Sequence, residues 1–370
     1  MPSWNDLGNV LSTVREIDVN AIREESEHPV FVACVGDSEQ LETFSRVLHR
    51  SGSRRYGPTG SSPLFNYEHM ASLPLDELRR ADMLVLVCDG RRPWPSAMSS
   101  VLDELEDLLL PLLIVVLYGT DQRERSRELP VATITRVVTI ADPELPQAAD
   151  QLATALLDRL PGELHLSVAR RVPGLRPFVA RNLVNSTSFV NASYALASGL
   201  PAQIPILNIP FAAADIVVLT KNQALMVYKL ALAHGAPPEF QSRIREVAPV
   251  LGGAYVWRQI ARSLVGLMPV WGLVPKVTIA YAGTYTTGIT AWRWYANGEL
   301  VLGEQLKRIS QEALAQGRAR ARNLLEQARQ SGKESPGLLQ RFKARLSQML
   351  PGRRKKPKLT APTDDLKQSE

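Results

Sequence analysis

The one place in this 370-residue sequence where residue types and spacing approach nucleotide chemistry is the turn that follows the apolar run 29–35. A phosphate-binding loop needs Gly, four residues, then Gly-Lys-Ser/Thr. The glycines let backbone N–H groups cradle phosphate oxygens, the lysine neutralises the β and γ oxygens, and the hydroxyl holds Mg²⁺. In that register Gly36 supplies the first glycine and Thr43 the hydroxyl, but Leu41 replaces the second glycine and Glu42 the lysine. A carboxylate facing a triphosphate repels it, and phosphoryl transfer loses a main source of charge stabilisation. Catalysis by the usual route is therefore not expected, and Gly36 reads first as the residue that makes a strand-to-helix turn.

Residues suited to other chemistries are scattered. His28, His49, His69, His165 and His234 show no helical pairing and no nearby cysteine pair, so spacing gives no zinc or iron site. There is no Gly-x-Ser-x-Gly elbow and no glycine-rich dinucleotide fingerprint, which removes the commonest hydrolase and oxidoreductase readings. The paired acids Asp103/Glu104 and Glu106/Asp107 lie on an expected helix and read as its solvated face. Cys34 and Cys88 sit inside apolar runs, as buried thiols rather than a disulfide framework, which suits a reducing cytosol. The opening MPSWNDLGNV lacks a basic stretch followed by an apolar run, so neither a secretory signal nor an early anchor is expected.

The elements that must position these residues follow from periodicity. Residues 29–160 alternate apolar strands with helical stretches, the pattern of an α/β fold with a mainly parallel sheet. Strands are expected at 29–35, 64–67, 83–88, 112–117 and 134–140, with helices at 39–49, 96–110 and 146–160. The runs 84–87 and 113–117 are apolar without alternation, as strands covered on both faces must be. Beyond residue 161 strand signals fade, and a Gly/Ala-rich apolar region, about 177–298, reads as helical. Residues 301–329 place Leu306, Ile309, Ala313, Leu324 and Leu325 on one helical face. A break at 331–337, a short helix at 338–350 and a polar tail without fixed structure at 351–370 complete the chain.

In its order of elements the N-terminal half, about 130 residues, resembles an Era-like small GTPase domain. Ala81-Asp82-Met83-Leu84-Val85-Leu86-Val87-Cys88-Asp89 is similar to that family's apolar strand ending in Asp. Ile114-Val115-Val116-Leu117-Tyr118-Gly119-Thr120-Asp121 resembles the strand ending in the guanine-reading Asn-Lys-x-Asp, with Tyr118 and Gly119 in place of Asn and Lys and Asp121 matching the last Asp. The Asp-x-x-Gly that would contact Mg²⁺ is replaced by Glu68-His69-Met70-Ala71. The resemblance thus implies the architecture with phosphate, metal and base recognition all altered. Asp121 reads as a loop or cap aspartate as readily as a guanine ligand.

The second half resembles the YcjF-type domain of unknown function over about residues 177–302. The residues that carry this are Thr220-Lys221-Asn222-Gln223-Ala224-Leu225-Met226-Val227-Tyr228-Lys229-Leu230 with Ala233-His234-Gly235-Ala236-Pro237. A closing helix at 274–298 adds Ala280-Tyr281-Ala282-Gly283-Thr284-Tyr285-Thr286-Thr287-Gly288 and Tyr295-Ala296-Asn297-Gly298. That resemblance implies a companion of Era-like domains, with many members assigned to membranes and no known reaction. The fold class expected is therefore a P-loop GTPase-like, mainly parallel α/β domain, an all-α apolar helical domain and a basic helical C-terminal tail. Its divisions are a helical extension at 1–27, the degenerate GTPase-like domain at 28–162, the YcjF-type domain at 163–300, basic amphipathic helices at 301–350 and a polybasic tail at 351–370.

Charge and hydropathy then address attachment. The stretch 199–220, whose only charge is Asp215, has the length of a membrane span but carries Pro201, Pro205, Pro210 and Asn208. The stretch 264–292, whose only charge is Lys276, is too long for one upright span and too short for two. Tilted span, re-entrant hairpin and buried core stay open for both. Residues 301–358 hold 15 Lys/Arg against four acids, so a chain of net charge +6 concentrates its basic character in one arm. In that arm Phe342 and Leu346 share an apolar face opposite Arg341, Lys343 and Arg345, and the run Arg353, Arg354, Lys355, Lys356 follows. Such an arm suits anionic lipid headgroups. Nucleic acid fits less well, because no aromatic residue is interleaved with the cations of that run.

The function expected is a membrane-associated, GTPase-like but non-catalytic binding or scaffold protein on the cytoplasmic face, with lipid headgroups and a protein partner on the GTPase-like domain as its contacts. No cofactor is expected. The alternative is a nucleotide-binding GTPase that holds GTP and Mg²⁺ through Gly36, Thr43 and Asp121, and a second is a soluble helical assembly protein.

Overall fold

The structure, a computed structural model, describes residues 19–50, 55–68, 72–93, 98–119, 135–199, 213–239 and 273–334. Asp121, the helix expected at 338–350 and the proposed lipid-facing residues Arg341, Phe342, Lys343, Arg345, Leu346, Arg353, Arg354, Lys355 and Lys356 lie outside the described residues.

Five strands, β1 (Val32–Gly36), β2 (Leu64–Tyr67), β3 (Met83–Asp89), β4 (Leu112–Leu117) and β5 (Thr135–Ile140), form one sheet in the order β2-β1-β3-β4-β5. Every pairing is parallel, with Val32 beside both Leu64 and Met83, Leu84 beside Leu112, and Leu112 beside Thr135. Right-handed crossovers put the helix between β1 and β2 on one face, and those that follow β2 and β3 on the other, once the strand order reverses. Accordingly α2 (Ser38–Arg50) and α5 (Pro146–Arg159) pack on the face that carries Val32, Cys34, Val85 and Val115. On the opposite face α3 (Leu75–Leu78) and α4 (Met98–Glu106) cover Ala33, Val35, Leu84, Leu86 and Ile114. Burial on both sides explains the unbroken apolar runs of β3 and β4.

Several element ends differ from the sequence reading for identifiable reasons. β1 starts at Val32 rather than at residue 29, because Pro29 has no N–H to offer a ladder and the Phe31 N–H donates to Asp82 Oδ2 at 2.8 Å instead. α4 stops at Glu106, short of residue 110: Leu109 turns to φ 55°, and Pro111 disfavours helix in the residue before it.

A short helix α1 (Asn20–Glu27) precedes the sheet, and the helical half follows it as α6 (His165–Arg171), α7 (Arg176–Gly199), α8 (Ala213–Ala233), α9 (Leu273–Asn297) and α10 (Gly303–Glu334), with 3₁₀ turns at Gly162–Leu164 and Pro173–Leu175. α10 continues to Glu334, into the break expected at 331–337, since an interior glycine such as Gly332 costs a helix only about 1 kcal/mol. Of the stretch 199–220, Gly199 belongs to α7 and 213–220 to α8, while residues 200–212 lie outside the described residues. Among the described residues no helix is long and apolar enough to cross a membrane.

α9 is the centre of the helical half and packs against α7, α8 and α10. Gly288 lets α7 approach closely, for a Cβ there would meet Val184 Cγ2 at 2.7 Å. A polar layer ties three helices together: Asn222 Nδ2 donates to Asn191 Oδ1 at 2.7 Å, while Asn191 Nδ2 and Gln223 Nε2 donate to Thr284 Oγ1 at 2.8 and 3.1 Å.

The core below the α2 face does not stop at residue 162. It continues through Leu164, Val168, Val172 and Leu175 to Leu225, Tyr228 and Leu232 of α8. Two arginines stitch this seam. Arg176, 1% exposed, donates to the carbonyls of Tyr56, Gly57, Ala169 and Arg170. Arg170 donates to the carbonyls of Leu232, in the last turn of α8, and Ala236, just beyond it, where the helix dipole favours a cation. Gly235, at φ 85°, adopts the left-handed turn there, and a Cβ would meet the Gly57 carbonyl at 2.8 Å.

Candidate functional site

In open parallel sheets ligands sit beyond the C-terminal strand ends where the strand order reverses, here between β1 and β3. β1 brings Gly36 to this point. A Cβ on Gly36 would lie 2.5 Å from the Val87 carbonyl, so glycine is required for the approach of β1 to β3. α2 begins almost at once, with Asp37 the single residue between strand and helix, and the Leu41 N–H already donates to the Asp37 carbonyl at 3.0 Å. The residues that would have to form a wide phosphate cradle are therefore wound into helix, apart from Asp37.

This winding separates the residues aligned with the phosphate loop. Glu42 is exposed on α2, whereas Thr43 is buried and its Oγ1 accepts from Arg46 Nη2 at 3.4 Å. Gly36 and Thr43 do not share one loop, and Asp121 lies outside the described residues. At the first turn of α2, Ser38 Oγ donates to Glu68 Oε1 at 3.1 Å, which brings a carboxylate to the helix N-terminus.

The middle of the crevice is occupied by a pair that the sequence reading did not single out. Asp89, the last residue of β3, has a side chain only 4% exposed. Its Oδ1 accepts from the Arg91 N–H at 2.9 Å and Nε at 3.0 Å, and its Oδ2 from Arg91 Nη2 at 2.8 Å. Hydrogen bonds from Arg91 hold the Asp89 carboxyl below its ordinary range, against the opposing effect of burial. The same guanidinium lies 4.1 Å over the Tyr118 ring, and its Nη2 is 3.6 Å from Glu39 Oε1. On the inner side Gln40, 2% exposed, donates from Nε2 to Asp89 Oδ2 at 3.4 Å, while its Oε1 accepts no hydrogen bond from the described residues.

Backbone geometry fixes this arrangement. Tyr118 takes φ 58°, unusual for an aromatic residue, directly after β4. The Gly90 N–H donates to the Leu117 carbonyl at 2.6 Å, and a Cβ on Gly90 would meet Gly119 Cα at 2.7 Å. The loops after β3 and β4 are thus locked backbone to backbone, with Arg91 and Tyr118 projected together. The sequence signal for the pair was Asp-Gly-Arg-Arg at the end of an apolar strand; its stacking partner just after β4 and its amide partner on α2 are brought in only by topology.

Chemically the crevice can bind a charged group, and among the described residues it presents no paired base and nucleophile. Among the described residues no group of three or more His, Cys, Asp or Glu side chains could hold a metal ion. Cys34, on β1, is pushed up to about 12 by burial and is unreactive as a thiol. Away from the crevice, α10 exposes Arg308, Arg318, Arg320 and Arg322, the described beginning of the basic arm. No protein-family model matches this chain, and no curated protein matches it.

Proposed function

We propose that this chain is a membrane-associated, non-catalytic binding or scaffold protein, in which a GTPase-like α/β unit offers its crevice to a protein partner while the helical half and basic arm provide attachment on the cytoplasmic face. The observation that carries the reading is the Asp89–Arg91 pair under Tyr118, an internal ion pair where a nucleotide would have to lie. The immediate start of α2 and the Glu39, Glu42 and Glu68 carboxylates around it support the same view, since each opposes a polyphosphate. Attachment is supported by the excess of Lys and Arg in residues 301–358, each basic group near an anionic surface contributing about 1 kcal/mol.

Two measurements test the two halves of this proposal. Calorimetric titration with GTP or ATP, with and without Mg²⁺, is expected to give no binding at physiological nucleotide concentrations; binding that Thr43→Ala abolishes would overturn the non-catalytic reading. Co-sedimentation with phosphatidylserine vesicles is expected for the full chain, weakened by high salt and by ending the chain at Gly337. A full chain that ignores such vesicles would end the claim of membrane attachment.

A further inference from the structure

The crevice has the composition of a receptor for a guanidinium. A buried carboxylate, Asp89, forms its floor, the Tyr118 ring one wall, and a second carboxylate, Glu39, stands at the rim. That set supplies the bidentate oxygens and the aromatic face that an arginine side chain prefers over a lysine. At present the occupant is Arg91, only two residues from Asp89 in the chain. So short a tether lets Arg91 satisfy both Asp89 oxygens but leaves Gln40 Oε1, buried beside that carboxylate, without a donor among the described residues. A buried acceptor left unpaired is costly, and one more N–H delivered from the crevice side would complete the site.

We propose that the crevice between β1 and β3 receives an arginine side chain of a partner protein, with Arg91 as its internal substitute. The arriving guanidinium takes over the Asp89 carboxylate, stacks on Tyr118 and donates to Gln40 Oε1, while Arg91, already half exposed, turns out to solvent. No bond is made or broken, and the exchange conserves charge within the crevice. This inference rests on the reading of the crevice as a protein-binding rather than a nucleotide site.

The test uses the full chain and a capped Gly-Arg-Gly peptide, with capped Gly-Lys-Gly as control, followed by NMR of the Gln40 side-chain amide and the Tyr118 ring. In Arg91→Ala the bidentate guanidinium on Asp89 is removed, with Arg92 Nε still 3.7 Å from Asp89 Oδ2. There the arginine peptide is expected to shift both signals and to bind at least tenfold more tightly than the lysine peptide. In the unaltered protein the same shifts require about tenfold more peptide, because Arg91 competes. Gln40→Met, which keeps the length and removes the acceptor, is expected to weaken arginine binding several-fold, and Tyr118→Phe, which keeps the ring, to preserve it. Equal response to both peptides, or no response in a folded Arg91→Ala protein, would overturn the cage, and the unaltered protein at high peptide concentration answers the question if that variant does not fold. GTP binding in the same crevice would instead overturn the reading on which the cage rests, so the two failures are distinct.

Discussion

His234 stands at the C-terminal end of α8, 1% exposed, with Nδ1 2.8 Å from the Leu230 carbonyl, so the neutral ring carries its proton on Nδ1. Burial, assisted by the nearby Arg176 charge and only partly offset by that hydrogen bond, holds its pKa down at about 4. An unfolded chain protonates this ring near 6.5 and so binds the proton first. Stability contributed by neutral His234 is therefore complete above about pH 6.5 and is lost as pH falls towards 4, a change on the order of 3 kcal/mol. Urea unfolding at pH 7.5 and pH 5 is expected to show this slope, and His234→Gln to flatten it; an equal slope in the variant would assign the effect elsewhere. Asp89 acts in the same direction but lower, for its depressed carboxyl stabilises the fold above its ordinary range and ceases to do so as pH falls through the folded value. At this scale the sequence disclosed Glu42 and the two buried cysteines, since a charge or a thiol can be judged from its place in a local pattern. Arg91 escaped notice because its partners Glu39 and Tyr118 lie about fifty and twenty-seven residues away along the chain and only the sheet brings them together.

Between elements, the strongest specific device is the polar layer of Asn191, Asn222, Gln223 and Thr284 inside otherwise apolar helices. Such a layer fixes the rotation and height of one helix against another, because any slip leaves amides unpaired in a dry interior. Asn191→Leu strands the Asn222 donor and removes one of the two amide donors to Thr284 Oγ1, and is expected to cost about 1–3 kcal/mol, read as a lower midpoint in urea. Adding Asn222→Leu is expected to cost less than the sum of the two single changes, since the second removes the group that the first left unpaired; simple additivity would show that the layer does not act as a unit. The strands were legible because five apolar runs, bounded by turn residues, match the layered pattern of an α/β fold. The start of α2 was legible to within one residue, expected at 39 and found at Ser38; what the phosphate-loop register did not disclose is that Asp37 accepts the first helical bond and that Ser38 bonds to Glu68, just past β2.

Across the whole molecule the sheet unit and the helices share one core, and the guanidiniums of Arg170 and Arg176 cross the seam to backbone carbonyls. Composition showed that strands give way to helices after about residue 161, but it does not single out Arg170 and Arg176, and only burial shows them inside. A shared core predicts a single cooperative unfolding transition, with far-UV dichroism and tryptophan fluorescence superimposable. Arg176→Met, which strands the Tyr56 and Gly57 carbonyls in the interior, is expected to cost at least about 3 kcal/mol and to raise hydrogen exchange at Thr59 before the strands are affected. Two separate transitions in the unaltered chain would contradict a shared core. The seam also orders events at the ribosome. Residues of α6 that α8 covers must wait for some sixty further residues to be translated, so the emerging sheet unit passes through an interval with an uncovered greasy flank. Synthesis of this protein therefore includes a window in which a chaperone, or the helical half itself once it emerges, must claim that flank before another nascent chain does.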